Sequence, residues 1–105
     1  VNGRSTARTR RYQRTTCNSG AKRAITVGGK SLLPIGLRRV DGDFAAGDVV
    51  ALVDLSGTEF ARGLSNYDAD TARRVAGRKT EEVLELLGPD AYEEIIHRDN
   101  LTVLV

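Results

Sequence analysis

The tripeptide Gly29-Lys30-Ser31 is the part of this chain closest in form to a phosphate-binding device. A P-loop reads Gly, four residues, then Gly-Lys-Ser/Thr, so that backbone amides at a helix start can wrap phosphates. Here Ala24 stands where the leading glycine belongs. Pro34 blocks a helix running on from Lys30, because proline lacks an amide proton and restricts the residue before it. The run from Lys30 to Leu37 is therefore predicted to be a turn that sends the chain into a strand.

The other chemistry-bearing residues are scattered. Asp41, Asp43 and Asp48 are close in sequence but lack the spacing and bidentate Glu of an EF-hand loop. Turn formation accounts for them. His97 is the only histidine, and Cys17 the only cysteine. Catalysis at His97 would need an oriented nucleophile or carboxylate. Local hydrogen bonds from His97 and Asp99 that fix a turn are the simpler expectation. Asn100-Leu101-Thr102 matches a glycosylation sequon by chance. No catalytic residue and no metal ligand is assigned.

These residues must be placed by a single small domain, since 105 residues allow only a modest core. The chain opens on Val1 and is read as a piece of a longer protein. One cysteine excludes an intrachain disulfide and fits a reducing compartment. There is no apolar run of membrane-spanning length and no signal-peptide core. The net charge of +2 hides an asymmetry. Residues 1–23 hold Arg4, Arg8, Arg10, Arg11, Arg14, Lys22 and Arg23 and no acid, and the remainder is net acidic. The basic start could attract nucleic acid or an anionic surface.

Residues 1–19 show no apolar periodicity and are predicted to be a basic tail or linker, extended or poorly ordered, with residues 20–105 as the domain. A short helix is expected from Ala21 to Val27, stopped by Gly28-Gly29. Ile35 to Val40 is expected as a strand. Turns follow at Asp41-Gly42-Asp43 and Ala46-Gly47-Asp48. Val49 to Val53 is the clearest buried strand, and Glu59 to Leu64 pairs back with it as a hairpin. Asp68 is placed to cap a helix with the face Ala72, Val75 and Ala76. Thr80 is placed to cap a second helix, with Val83, Leu84, Leu86 and Leu87 on its apolar side. Asp90-Ala91-Tyr92-Glu93 has the form of a capping box for a short third helix carrying Ile95 and Ile96. Leu101 to Val105 is expected as a last strand. Short strands joined by Gly-Asp turns point to a mixed α/β, mainly β domain, a small barrel closed by its final strand.

Several of these stretches together resemble a known family. They are Gly29-Lys30-Ser31-Leu32-Leu33-Pro34-Ile35-Gly36, Gly42-Asp43-Phe44, Gly47-Asp48-Val49-Val50 and Ala61-Arg62-Gly63-Leu64-Ser65-Asn66-Tyr67. Gly77-Arg78-Lys79 and His97-Arg98-Asp99-Asn100-Leu101 complete the set. The run from Gly20 to Val105 is similar to the C-terminal PUA domain of bacterial glutamate 5-kinases. The resemblance implies a PUA-type pseudo-barrel with short helices and a helical insertion before the last strand. It implies a parent enzyme that phosphorylates glutamate with ATP and magnesium in the bacterial cytoplasm, at the first step of proline biosynthesis. That chemistry would belong to a kinase domain N-terminal to this one, so no cofactor is expected in this chain. The expected partners are that kinase domain, RNA, or a second copy, and no membrane.

By position, the resemblance implies that an RNA-contact surface would comprise Lys22, Arg23, Lys30, Ser31, Leu33, Pro34 and Gly36. Gly36 would allow close backbone approach, and Lys30 and Arg23 would meet phosphates. Few aromatics and a net-acidic body weigh against base stacking. The alternatives are a stand-alone RNA-binding module, or a protein-interaction module using spare apolar area on the Val83–Leu87 helix.

Overall fold

The computed structural model describes residues 13–104. Five strands and three α-helices follow the order β1 (Arg14–Cys17), α1 (Ser19–Thr26), β2 (Leu37–Asp41), β3 (Val49–Val53), β4 (Glu59–Leu64), α2 (Ala69–Val75), α3 (Thr80–Leu87) and β5 (Leu101–Val103). Single 3-10 turns at Pro34–Gly36 and Arg98–Asn100 precede β2 and β5. The strands form one mixed sheet in the order β2-β1-β3-β4-β5, with β1 parallel to β3 and every other pair antiparallel.

The Val49–Val53 and Glu59–Leu64 hairpin forms as expected, around a turn in which Asp54 accepts from Ser56 and Thr58 amides at 3.0 and 2.9 Å. Residues 14–19 depart from the expected tail. Arg14–Cys17 is an inner strand, flanked by β2 and β3. Its core-facing residues are Thr15 and Cys17, both fully buried. The Thr15 hydroxyl donates to the Ala51 carbonyl at 3.4 Å, which lets a polar side chain sit in the core. A strand whose buried face is a threonine and a cysteine has no apolar alternation to announce it. The part of the expected tail at residues 1–12 lies outside the described residues.

The expected strand Ile35–Val40 starts two residues late. Pro34 fixes its own φ and opens a 3-10 turn instead, closed by Gly36 N donating to Leu33 O at 3.0 Å. Asp68 caps α2 as its position suggests, its carboxylate accepting from Thr71 N at 2.8 Å. The cap position of α3 is Lys79 rather than Thr80, and the Glu82 carboxylate accepts from the Lys79 amide at 3.0 Å.

The expected third helix at residues 90–96 is absent; the segment is irregular. A helix there would need its carbonyls for its own amides, and they are taken elsewhere. Asn66 Nδ2 donates to Glu94 O at 3.0 Å, Asn66 N donates to Ile95 O at 2.8 Å, and the Tyr67 hydroxyl donates to Tyr92 O. Leu32 N donates to Ile96 O at 2.9 Å and Leu32 O accepts from Ile95 N at 2.8 Å. The buried pair Ile95 and Ile96 thus tethers the segment to the loop after α1.

One face of the sheet builds the core. Cys17, Leu37, Val50, Leu52 and Ala61 meet Ile25 of α1, Ala72 and Val75 of α2, and Phe44. From α3 only Val83 is fully buried, while Leu84 and Leu87 are half-buried and Leu86 is exposed. The spare apolar face expected on that helix is therefore reduced to one leucine.

Candidate nucleic-acid interface

The sequence-derived candidates lie around α1 and the Pro34–Gly36 turn. Asn18 holds these two elements together. Its side-chain oxygen accepts from Ala21 N at 2.8 Å, capping α1, and its backbone amide donates to Gly36 O at 2.9 Å. Gly36 then lies against the first turn of the helix. A Cβ added there would sit 2.5 Å from Ala21 Cβ, inside any permissible contact.

Between the helix and the turn runs a groove of about 310 Å³. Gly20, Ala21 and Ala24 of α1 form one side. Leu33, Ile35 and Gly36 form the other, with Asn18 and Ser31 as its polar groups. Leu33 and Ile35 are 40% and 50% exposed, so the groove has open apolar walls.

Of the seven candidates, Ser31, Leu33 and Gly36 line the groove. Lys22 does not, because its ammonium lies 2.8 Å from the Asp54 carboxylate and 5.8 Å over the Phe60 ring. That ammonium, with the Ser56 hydroxyl and the Thr58 amide, holds the Asp54 carboxyl well below the usual carboxylate range. Pro34 is fully buried and presents no side chain to a ligand. Arg23 and Lys30 are exposed and in no ion pair among the described residues.

The close-approach role expected of Gly36 is taken by the protein itself, since the glycine makes room for Ala21. Ser31 is likewise used within the fold, its hydroxyl accepting from Arg98 N at 2.8 Å. That contact brings the exposed Arg98 to the rim beside Ser31, across 67 residues of sequence. Asn18, Gly20, Ala24 and Ile35 also belong to the groove without having been singled out. The small residues Gly20 and Ala24, one helical turn apart, were the available signal for a helix face open to a neighbour.

Two of the three acidic turn residues are used locally. Asp48 accepts from Ala45 N at 2.9 Å, and Asp41 pairs with Arg39 at 2.9 Å. His97 Nδ1 accepts from Asp99 N at 3.1 Å, fixing the turn into β5.

The fold has counterparts. The model of the PUA domain family matches residues 13–87, starting at the edge of β1. The chain belongs to the PUA domain family. Glutamate 5-kinases are its relatives at high identity. That of Moorella thermoacetica is 55% identical over 87 residues, covering 83% of this chain and 23% of that protein. Those of Myxococcus xanthus and Dictyoglomus thermophilum are 51% and 47% identical, covering 85% and 83% of this chain and 24% of each relative. The PUA domain described here thus spans about a quarter of the length of the curated relatives it matches. Among solved structures, a PUA domain from Aeropyrum pernix in a tartrate complex superposes with a TM-score of 0.54 at 27% identity, covering 62% of this chain and 38% of that one. A conserved PUA domain protein from Thermoplasma acidophilum, at TM-score 0.56, 24% identity and 64% and 44% coverage, shares the fold. No helix among the described residues is long and apolar enough to cross a membrane.

Proposed function

We propose that this PUA domain is the accessory, non-catalytic domain of a glutamate 5-kinase, contributing to the oligomer contacts or regulation of the parent enzyme. The observation that carries the reading is the identity of about half of all positions, sustained over 86 to 89 residues, with glutamate 5-kinases of several bacteria. That run is longer than the family match at residues 13–87, so the likeness to these kinases exceeds what the shared fold alone requires. Phosphoryl transfer needs phosphate-binding groups, magnesium carboxylates and a dry cleft together. Among the described residues no group of three His, Cys, Asp or Glu is placed to hold a metal ion beside the Lys30 turn. In this reading ATP, magnesium and glutamate bind at the kinase domain, and the compartment is the cytoplasm. A chimera tests the reading: this chain replaces the matching segment of the Moorella thermoacetica enzyme. The expected result is glutamate phosphorylation by the chimera and none by this chain alone. Phosphorylation by the isolated chain, or an inactive chimera that is folded, would overturn it.

A second reading, RNA contact at the groove, is favoured by one observation. Open apolar walls at Leu33 and Ile35 lie in the same region as Arg23, Lys30 and Arg98, none of which is ion-paired among the described residues. It serves a stand-alone RNA module equally well, and binding assays distinguish it from the kinase reading.

A further inference from the structure

The sheet has a second face that the core does not use. Paired residues in neighbouring strands point to the same side, and so do residues two apart in one strand. Thr15, Cys17, Val50, Leu52 and Ala61 define the buried side. On the other side, Asp41, Arg14, Ala51, Arg62 and Thr102 form a row across all five strands. Next to that row Val49 and Leu64 face each other across β3 and β4, 52% and 41% exposed.

The charges on this open face are not equally satisfied. Arg39 pairs with Asp41 and Arg62 pairs with Glu59. Arg14 has no carboxylate partner among the described residues, and its Nε is buried without any hydrogen-bond partner. Leaving a buried charged donor unmatched costs more than an ordinary hydrogen bond returns. The face therefore carries a half-buried cation with no carboxylate partner among the described residues, beside an exposed aliphatic pair.

A second copy of this chain fits poorly here. A two-fold contact centred on Arg14 would set each Arg14 against its own copy, with like charges opposed. The remainder of the polypeptide fits better. The relatives extend over about four times the length that this chain covers. Arg14 opens β1, the strand through which the domain connects to whatever lies on its N-terminal side. A tethered domain meets this surface at high effective concentration, so a contact smaller than a free dimer requires is enough.

We propose that the open sheet face around Arg14, Val49 and Leu64 is the docking surface for the catalytic domain of the same polypeptide. That domain supplies a carboxylate to Arg14 and covers the Val49–Leu64 pair. The proposal rests on the glutamate 5-kinase reading above.

Thiol labelling in the chimera, read peptide by peptide by mass spectrometry, tests it. Cys17 is fully buried, and burial pushes its thiol up to about 11, so it is a quiet background. Leu64→Cys reports on the face, and Val27→Cys, at a position 76% exposed at the end of α1, is the control. The expected result is labelling of Leu64→Cys about tenfold slower than Val27→Cys in the intact chimera. Cleaving an engineered site in the linker should restore the rate, and adding Arg14→Glu to the intact chimera should raise it. Val49→Cys, read in the same way, guards against a folding effect peculiar to position 64. Equal rates in the intact chimera would overturn the proposal. So would slow labelling that survives cleavage, since something other than the catalytic domain would then cover the face. An inactive chimera would count against the parent enzyme and not against the surface, because the labelling rates are read independently of activity.

Discussion

Gly36 and Ala21 occupy adjoining space with no room for another atom: a Cβ on Gly36 would lie 2.5 Å from Ala21 Cβ. This contact seats the Pro34–Gly36 turn on the first turn of α1, and Asn18 ties the two by its amide and its cap. The candidate groove exists because these elements meet so closely. Gly36→Ala must push α1 and the turn apart, at a cost of about 1–3 kcal/mol. Gly20→Ala, whose Cβ would find only Asn18 Oδ1 at 3.5 Å, should change stability by less than about 0.5 kcal/mol. Urea unfolding of the two variants checks this, and equal midpoints would show that the contact carries no strain.

Asn66 replaces the helix that local sequence favours at residues 90–96. Its side chain holds Glu94 O at 3.0 Å and its amide holds Ile95 O at 2.8 Å. Asn66→Ala removes the first bond and leaves a part-buried carbonyl unpaired, at a cost of about 1–3 kcal/mol. The amides of residues 92–96 should exchange faster in the variant, while those of β3 and β4 keep most of their protection. Uniform loss of protection would mean that Asn66 supports the whole fold and not this segment.

The Lys22–Asp54 pair ties α1 to the β3–β4 turn, and its sign with pH is defined. The Asp54 carboxyl is held low, first by Lys22 and then by Ser56. The unfolded value is about 3.9. Ionised Asp54 therefore stabilises the fold above that value, and the contribution fades as pH falls through the lower folded pKa. Asp54→Asn should be less stable than the parent at neutral pH, and the gap should narrow steadily below about pH 4. Denaturation midpoints across the acid range test this, and a gap constant with pH would contradict it.

How much of this could be read from the chain varies by element. Val49–Val53 was legible because five consecutive apolar residues lie between the turns Ala46-Gly47-Asp48 and Asp54-Leu55-Ser56-Gly57. Asp68 was legible because a cap is a local device. Arg14–Cys17 was not, since its burial is that of a threonine satisfied by a carbonyl 36 residues away. The capping-box pattern at residues 90–93 was locally sound and lost to partners from Leu32, Asn66 and Tyr67. At the groove, Ser31, Leu33 and Gly36 were legible from the family-like run. The turning away of Lys22 and the arrival of Arg98 were not, because Asp54 and Ser31 draw them through distant contacts.

If RNA binds at the groove, the free bases around it carry the salt dependence. Lys30→Ala should weaken binding of a structured RNA and reduce the slope of log K against log salt by about 1. Lys22→Ala, whose ammonium is committed to Asp54, should leave the slope unchanged. Removing residues 1–12 separates the basic start from the groove while keeping β1 intact. Loss of binding only on that removal would assign RNA contact to the N-terminal residues.

The central claim is that this PUA domain is one part of a glutamate 5-kinase. Reading the coding sequence immediately upstream of Val1 tests it most directly. The expected result is an in-frame segment about two and a half times as long as this chain that encodes an amino-acid kinase domain, in keeping with relatives of which the matching 87 to 89 residues are 24%. A stop codon, or an in-frame domain of an unrelated RNA-modifying enzyme, would contradict it.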